Sequence, residues 1–241
     1  MILGVIGGVS WHSSAEYYKQ FNAAVAQQFG RRQSARLVLS SLNFSDLLEW
    51  QRDDSTQLLR NAFLAEGQRL KSAGCDAFVI ASHTLSWLGQ LIEEEFGLSH
   101  ICLYKAVHEH LNALNARTIG LIGTRYTMAE TSSIGRYEEA GFKIVTPSEP
   151  LRTQVAEIIY KELVQGVFRK ESEGILLAAA QDLAARGTDA VVLGCTEIGL
   201  LLKKRALHVC SAETVRRVPL VDLIEVHVGA GLIWMKEQSS S

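Results

Sequence analysis

Thr188-Asp189-Ala190-Val191-Val192-Leu193-Gly194-Cys195-Thr196-Glu197-Ile198-Gly199 reads as one strand of an α/β sheet together with the turn that follows it. Gly187, just before it, marks a helix C-terminus, where a left-handed residue is favoured and glycine carries no Cβ penalty. The apolar run Ala190 to Leu193 is short enough for a buried strand. It stops at Gly194, and a thiol follows at once, flanked by a hydroxyl and a carboxylate. In a parallel α/β sheet, ligands are handled at the carboxyl ends of the strands, which is where Cys195 falls. A free cysteine can also be a small buried hydrophobe, so this stretch alone leaves both roles open.

An earlier stretch has the same plan. Arg69-Leu70-Lys71-Ser72-Ala73-Gly74-Cys75-Asp76-Ala77-Phe78-Val79-Ile80-Ala81-Ser82-His83-Thr84 reads as helix, glycine stop, Asp-Ala, apolar strand and a small polar cluster. Asp76 and Asp189 are 113 residues apart. Leu3-Gly4-Val5-Ile6-Gly7-Gly8-Val9-Ser10 matches Ile119-Gly120-Leu121-Ile122-Gly123-Thr124-Arg125-Tyr126 at an offset of 116. Two matches in the same order at nearly one offset indicate a duplicated half. Ser82 and Cys195 are then equivalent positions, expected to face each other across the seam between the halves.

The remaining segments alternate strands and helices. Expected are strand Ile2–Ile6, a helix from Ala15 to Phe29, strand Arg36–Ser41, a polar stretch around Trp50–Asp54 and a helix from Ser55 to Ala73. Helix Leu85–Phe96, strand His100–Leu103 and helix Tyr104–Leu114 complete the first half. The second adds strand Thr118–Ile122, helix Ala129–Ala140, strand Lys143–Val145, and helices Leu151–Gln165 and Glu171–Arg186. A last strand from Val218 feeds a closing helix. The predicted fold is α/β: two similar parallel-sheet halves related by a pseudo-twofold, with the site in the cleft between them. The closing helix is expected to return to the first half. The domains are therefore drawn as 1–114 plus 212–241 and as 115–211.

The 241 residues hold 24 Lys and Arg against 26 Asp and Glu, a formal charge of −2. Such a balance offers no electrostatic case for nucleic acid or an anionic membrane. No apolar run approaches the roughly 20 residues that span a bilayer. The chain opens directly on a strand with no basic segment, and its four cysteines include no C-x-x-C pair, so a reducing cytoplasm is expected. His108 and His110, two apart on a helix, point in different directions and make no metal pair.

Opposed strand ends suit proton transfer at a carbon held between them: one group removes a proton from one face and another returns it to the opposite face. A thiolate is easily desolvated, and helix N-termini can bring its pKa down from about 8.5 toward neutrality. Asn43, Thr84, Thr124 and Thr196 stand at strand ends as neutral donors for a substrate carboxylate and for enolate-like charge. The Gly7-Gly8-Val9-Ser10 turn opens a helix whose free amides could hold an anion, which adds Gly8 and Ser10. It is not G-x-G-x-x-G, and no dinucleotide site is read there.

At these residues the chain resembles the aspartate/glutamate racemases, which use no cofactor. The resemblance runs over nearly the whole length: Ile6-Gly7-Gly8-Val9-Ser10-Trp11, Tyr17-Tyr18, Asn43-Phe44, Gly123-Thr124-Arg125-Tyr126-Thr127-Met128, Ile158-Ile159-Tyr160, Gly194-Cys195-Thr196-Glu197-Ile198 and the closing Asp222 to His227. It implies a homodimer acting on a small carboxylate or amino acid, with two cysteines on opposite sides of the substrate carbon. Cys195 matches the second of them. The first is absent: where the family reads Cys-Asn-Thr-Met-His-Lys, this chain reads Ser82-His83-Thr84-Leu85-Ser86-Trp87. Ser82 therefore stands in a catalytic position, with His83 in place of the substrate-holding asparagine. The family's carboxylate-binding loop aligns with Gln51 and Arg52, and the same resemblance adds Glu197 and His227 to the substrate-binding set. Trp87 replaces one family lysine and Val164 another, which suggests a substrate less acidic or more apolar than aspartate. A cofactor-independent racemase is the expectation. A single-cysteine decarboxylase or isomerase of the same fold, and a non-catalytic carboxylate-binding protein, are the alternatives.

Overall fold

A computed structural model describes residues 1–52, 55–129, 133–202, 208–210 and 217–239. The chain forms two compact units, Met1–Ala106 with His227–Ser241, and Val107–Val226. The expected return to the first half at residue 212 lies outside the described residues.

The first unit contains β1 (Leu3–Gly7), α1 (Trp11–Phe29), β2 (Leu37–Ser41), α2 (Phe44–Arg52), α3 (Thr56–Ser72), β3 (Ala77–Ile80), α4 (Gly89–Phe96) and β4 (Ser99–His100). Its strands are all parallel, in the order β2-β1-β3-β4. Every residue of β1 and β3 is buried, as continuous apolar runs in a parallel sheet must be. Ile6, Phe63, Leu70, Phe78, Ile80, Leu88 and Ile92 form a core under α3 and α4.

The second unit contains β5 (Thr118–Ile122), α6 (Gly135–Glu139), β6 (Lys143–Val145), α7 (Leu151–Lys161), α8 (Lys170–Ala185), β7 (Ala190–Leu193), α9 (Thr196–Leu202), β8 (His208–Cys210) and β9 (Arg217–Asp222). Helices α5 (Leu103–Ala113) and α10 (Leu223–Ser239) each contain a boundary between the units. The second sheet runs β6-β5-β7-β9-β8, parallel except for β8, which pairs antiparallel with β9. The duplication is visible strand for strand, since β2-β1-β3 repeats as β6-β5-β7.

Its joints repeat as well. Asp76 Oδ2 accepts the Ile2 amide at 2.7 Å, and Asp189 Oδ2 accepts the Thr118 amide at 2.8 Å. Each aspartate tethers the start of a neighbouring strand. A Cβ on Gly4 would lie 2.6 Å from Leu70, and one on Gly120 would lie 2.9 Å from Leu183. Glycine is needed at both strand positions because a leucine from the covering helix descends onto the sheet there. Gly74 and Gly187, with φ of 75° and 80°, end those two helices in the left-handed region.

Three expectations change. The polar stretch before residue 53 is helical as α2, anchored by the buried Leu47. Strand β8 makes the second sheet mixed, where a parallel one was expected. The helix expected over 129–140 is described only at Gly135–Glu139. Trp87, read as a mark of a more apolar substrate, packs partly buried against the Leu85–Ile92 core.

Candidate active site

Cys195 leaves β7 at its carboxyl end and is the residue from which α9 starts: its carbonyl accepts the Ile198 amide at 3.0 Å. A Cβ at Gly194 would lie 2.9 Å from Thr127 Cγ2 and from Leu121, so the chain can turn there only without a side chain. Cys195 is buried, and its thiol donates to Glu197 Oε2 at 3.0 Å. The Thr196 hydroxyl donates to the same oxygen at 3.0 Å. Glu197 is itself buried, and its other oxygen, Oε1, has no hydrogen-bond partner among the described residues. A carboxylate with an open buried oxygen can still accept a hydrogen bond or hold a cation.

Burial pushes the Cys195 thiol well above its usual range, and the negative Glu197 carboxylate adds to that; the Glu197 and Ile198 amides pull the other way. This reverses the expectation of a thiol lowered toward neutrality. The amides are in place, but removal from water and a carboxylate at hydrogen-bond distance outweigh them. The resting sulfur carries its proton.

Ser82 occupies the matched position after β3. Its hydroxyl meets Thr84 Oγ1 at 3.4 Å and accepts the Leu85 amide at 3.3 Å. His83 is buried with its ring 4.8 Å from that of Tyr104. Successive side chains at a strand end point apart, and these two meet different neighbours.

At the end of β1, Gly8 has φ of 90°, and a Cβ there would lie 2.0 Å from the Leu42 carbonyl oxygen. Its amide donates to Ser14 Oγ at 2.9 Å, so that donor is used inside the turn. Ser10 holds φ of 77°, uncommon for a residue with a side chain. Its hydroxyl and that of Ser13 are buried without partners among the described residues. Ser13 was missed from the sequence, as was the buried, unpartnered Ser86 beyond Ser82. The only signal was the serine cluster after each strand, which reads equally well as helix capping.

Other candidates are engaged locally. Asn43 caps α2, accepting the Ser45 amide at 3.2 Å and donating to Asp46 at 3.2 Å. Thr124 Oγ1 accepts the Thr127 amide at 3.1 Å and meets its hydroxyl at 3.0 Å. Thr196 gives its proton to Glu197, which leaves it acceptor capacity only. Gln51 is exposed on α2, and the Arg52 side chain lies outside the described residues. His227 is fully buried. Tyr17 Oη meets its Nδ1 at 2.8 Å and the Ile101 carbonyl meets its Nε2 at 2.7 Å. Burial lowers its pKa to about 4. A neutral imidazole with both nitrogens used in the core has nothing left for a substrate, which corrects the reading of His227 as a binding residue.

Two repeated α/β units each carry a polar turn at matched strand ends, and one of them a thiol paired with a buried carboxylate. The chain belongs to the Asp/Glu/hydantoin racemase family, whose model matches residues 6–231. It is similar to a protein from Yersinia pestis assigned as an Asp/Glu racemase, at 30% identity over 97% of this chain and 98% of that one, TM-score 0.81. It also resembles an aspartate racemase homologue from Pyrococcus horikoshii OT3, at 25% identity over 97% of each chain, TM-score 0.79. The aspartate racemase of Picrophilus torridus shares the fold at 18% identity, covering 95% of this chain and 94% of that one, TM-score 0.66. Among the described residues, no helix is long and apolar enough to cross a membrane.

Proposed function

We propose that the chain is a cofactor-independent amino-acid racemase of the aspartate/glutamate type, with Cys195 as the retained acid/base and Ser82 in the place of the other cysteine. The observation that carries the reading is the Cys195 thiol donating to the buried Glu197 carboxylate. With its proton held on sulfur, Cys195 acts first as an acid, returning a proton to the α-carbon. In the opposite direction Glu197 takes the thiol proton, and the Glu197 and Ile198 amides stabilise the thiolate that abstracts the α-proton. Glu197 Oε1, open among the described residues, holds the substrate ammonium. On the other face Ser82 needs His83 or a water to relay protons, because a hydroxyl is far less acidic than a thiol. Assembly as a homodimer in the cytoplasm belongs to this reading, and sedimentation of the purified chain tests the dimer.

The deciding experiment follows α-hydrogen exchange in heavy water by NMR, for L- and D-aspartate, L- and D-glutamate and several apolar amino acids. Exchange that disappears in Cys195→Ala supports the reading, and faster exchange of one enantiomer locates the weaker Ser82 side. No exchange with any of them sinks it. The protonated resting state of Cys195 favours one second reading, a one-way decarboxylase or isomerase in which the thiol protonates an enolate and no partner base is required. Release of carbon dioxide from a disubstituted malonate distinguishes that case.

A further inference from the structure

The second unit has a hollow of about 320 Å³ away from the thiol, lined by Arg125, Met128, Ala129, Glu149, Arg152 and Thr153. Its walls are the turn after β5, Glu149 in the loop after β6, and the first turn of α7 with Arg152 and Thr153. Because β5 and β6 are adjacent and parallel, the hollow opens at the carboxyl edge of the sheet, on the opposite side of β5 from β7 and Cys195. That edge is where α/β sheets hold ligands. The volume falls near the lower end of small-molecule pockets.

Its chemistry is that of carboxylate capture. The Glu149 carboxylate is held by Arg152 Nε at 2.8 Å and by the Thr153 hydroxyl at 2.9 Å. Those hydrogen bonds, the Arg152 contact foremost, keep its carboxyl below the ordinary range. The wall thus already holds one carboxylate, supplied by the chain itself. Arg125 faces the same hollow, and none of the hydrogen bonds or ion pairs among the described residues satisfies it. Two guanidiniums against one carboxylate leave a net positive charge, and a guanidinium fork matches a carboxylate with two parallel hydrogen bonds. Met128 and Ala129 supply an apolar strip beside it.

We propose that this hollow is a second ligand site, separate from the Cys195 centre, that takes a small monocarboxylate. The carboxylate pairs with Arg125, and the hydrocarbon part lies on Met128 and Ala129. The site is placed to report on the thiol. Arg125 sits between Thr124 and Thr127, which bond to each other, and Thr127 packs against Gly194, the residue before Cys195. Met128 shares a core cluster with Cys195 and Ile198. A ligand that fixes Arg125 therefore fixes the turn on which the Cys195 segment rests.

The test needs no turnover, so it stands whether or not the chain racemises anything. Butyrate is titrated into the ¹⁵N-labelled full chain at constant ionic strength, with amide signals followed by NMR. Expected are saturable shifts at Arg125, Ala129 and Thr153. The dissociation constant should rise at least tenfold in Arg125→Gln and fall severalfold in Glu149→Gln, where Arg152 is released from its internal partner. Arg125 is exposed, so Arg125→Gln should keep the native spectrum elsewhere, and Cys195→Ala should bind as the unaltered chain does. Linear, non-saturating shifts would overturn the proposal, as would equal affinity in Arg125→Gln or loss of binding in Cys195→Ala. Inorganic phosphate provides the second arm: tighter binding than butyrate at the same residues would overturn the carboxylate assignment.

Discussion

Residues 82 and 195 stand at the ends of matched strands, and the residues two places further on, Thr84 and Glu197, match as well. In the first unit the pair is two hydroxyls 3.4 Å apart. In the second it is a thiol donating to a carboxylate at 3.0 Å. Both turns follow a buried four-residue strand, and both strand ends are bonded back to the first strand of their unit, Ala81 to Ile6 at 2.8 Å and Gly194 to Ile122 at 2.6 Å. The backbone has been kept and the acid–base pair has not. On the proposed racemase reading the two sides of the reaction would be unequal, and the rate limit would fall on the side whose group holds its proton hardest.

The comparison breaks most severely at Cys195. Cys195→Ala should lower α-hydrogen exchange on the order of 10²–10⁴-fold, the range for loss of a positioned acid or base. Retention of exchange in that variant would move the chemistry elsewhere. Glu197→Gln comes next. It removes the nearby negative charge but not the burial, so the Cys195 pKa should fall while staying above the ordinary thiol range. The pH dependence of iodoacetamide alkylation measures this directly, and exchange should drop by roughly tenfold to a hundredfold as the proton acceptor is lost. An unchanged thiol titration would show that the carboxylate does not act on the sulfur.

What could be read in the sequence follows from what repeats. The Gly74-Asp76 and Gly187-Asp189 steps, with a leucine four residues before each glycine, carry the packing and tethering that define each unit, so the α/β strands were legible from the chain alone. The active turn was legible only as chemistry. Cys195 and Glu197 stand two residues apart in the sequence, but the direction of the thiol's pKa depends on burial and on a side-chain rotamer, which no spacing encodes. His227 fits a motif yet is held by Tyr17 and Ile101, more than a hundred residues away along the chain. Such pairings arise from tertiary packing. Strand β8 is three residues long and leaves too short a pattern to read.

The units should also differ in their response to acid. Two histidines of the first unit, His100 and His227, have pKa values lowered to about 4 by burial, against one in the second unit, His108, lowered by burial, whereas the unfolded chain titrates near 6.5. The His100 ring stacks 5.0 Å from Phe78, over Gly89. Between these values the unfolded state binds more protons. The stabilisation from keeping each ring neutral is therefore complete above about 6.5 and is lost as pH falls toward 4. Each histidine accounts for about 3 kcal/mol at the acid end of that window. Urea unfolding from pH 7 to pH 4, with hydrogen exchange read by segment, should show residues 1–106 weakening before residues 117–202. Replacing His227 with glutamine should flatten the slope, and equal weakening of both segments would contradict the assignment.

The smallest effect expected, and the one that sharpens the comparison most, is Ser82→Cys. The substitution restores a thiol at the matched position, where the Leu85 amide already points at the side chain and can stabilise a thiolate. It restores no carboxylate, because Thr84 stands where the second unit has Glu197. A buried thiol with an amide but no proton acceptor should improve exchange of the slower enantiomer by only roughly tenfold, well short of a full acid–base contribution. Adding Thr84→Glu should raise it again if the carboxylate is what makes Cys195 work. Exchange that Ser82→Cys leaves unchanged, and that the double variant also leaves unchanged, would mean that the first unit contributes only binding and that the reaction runs from one face.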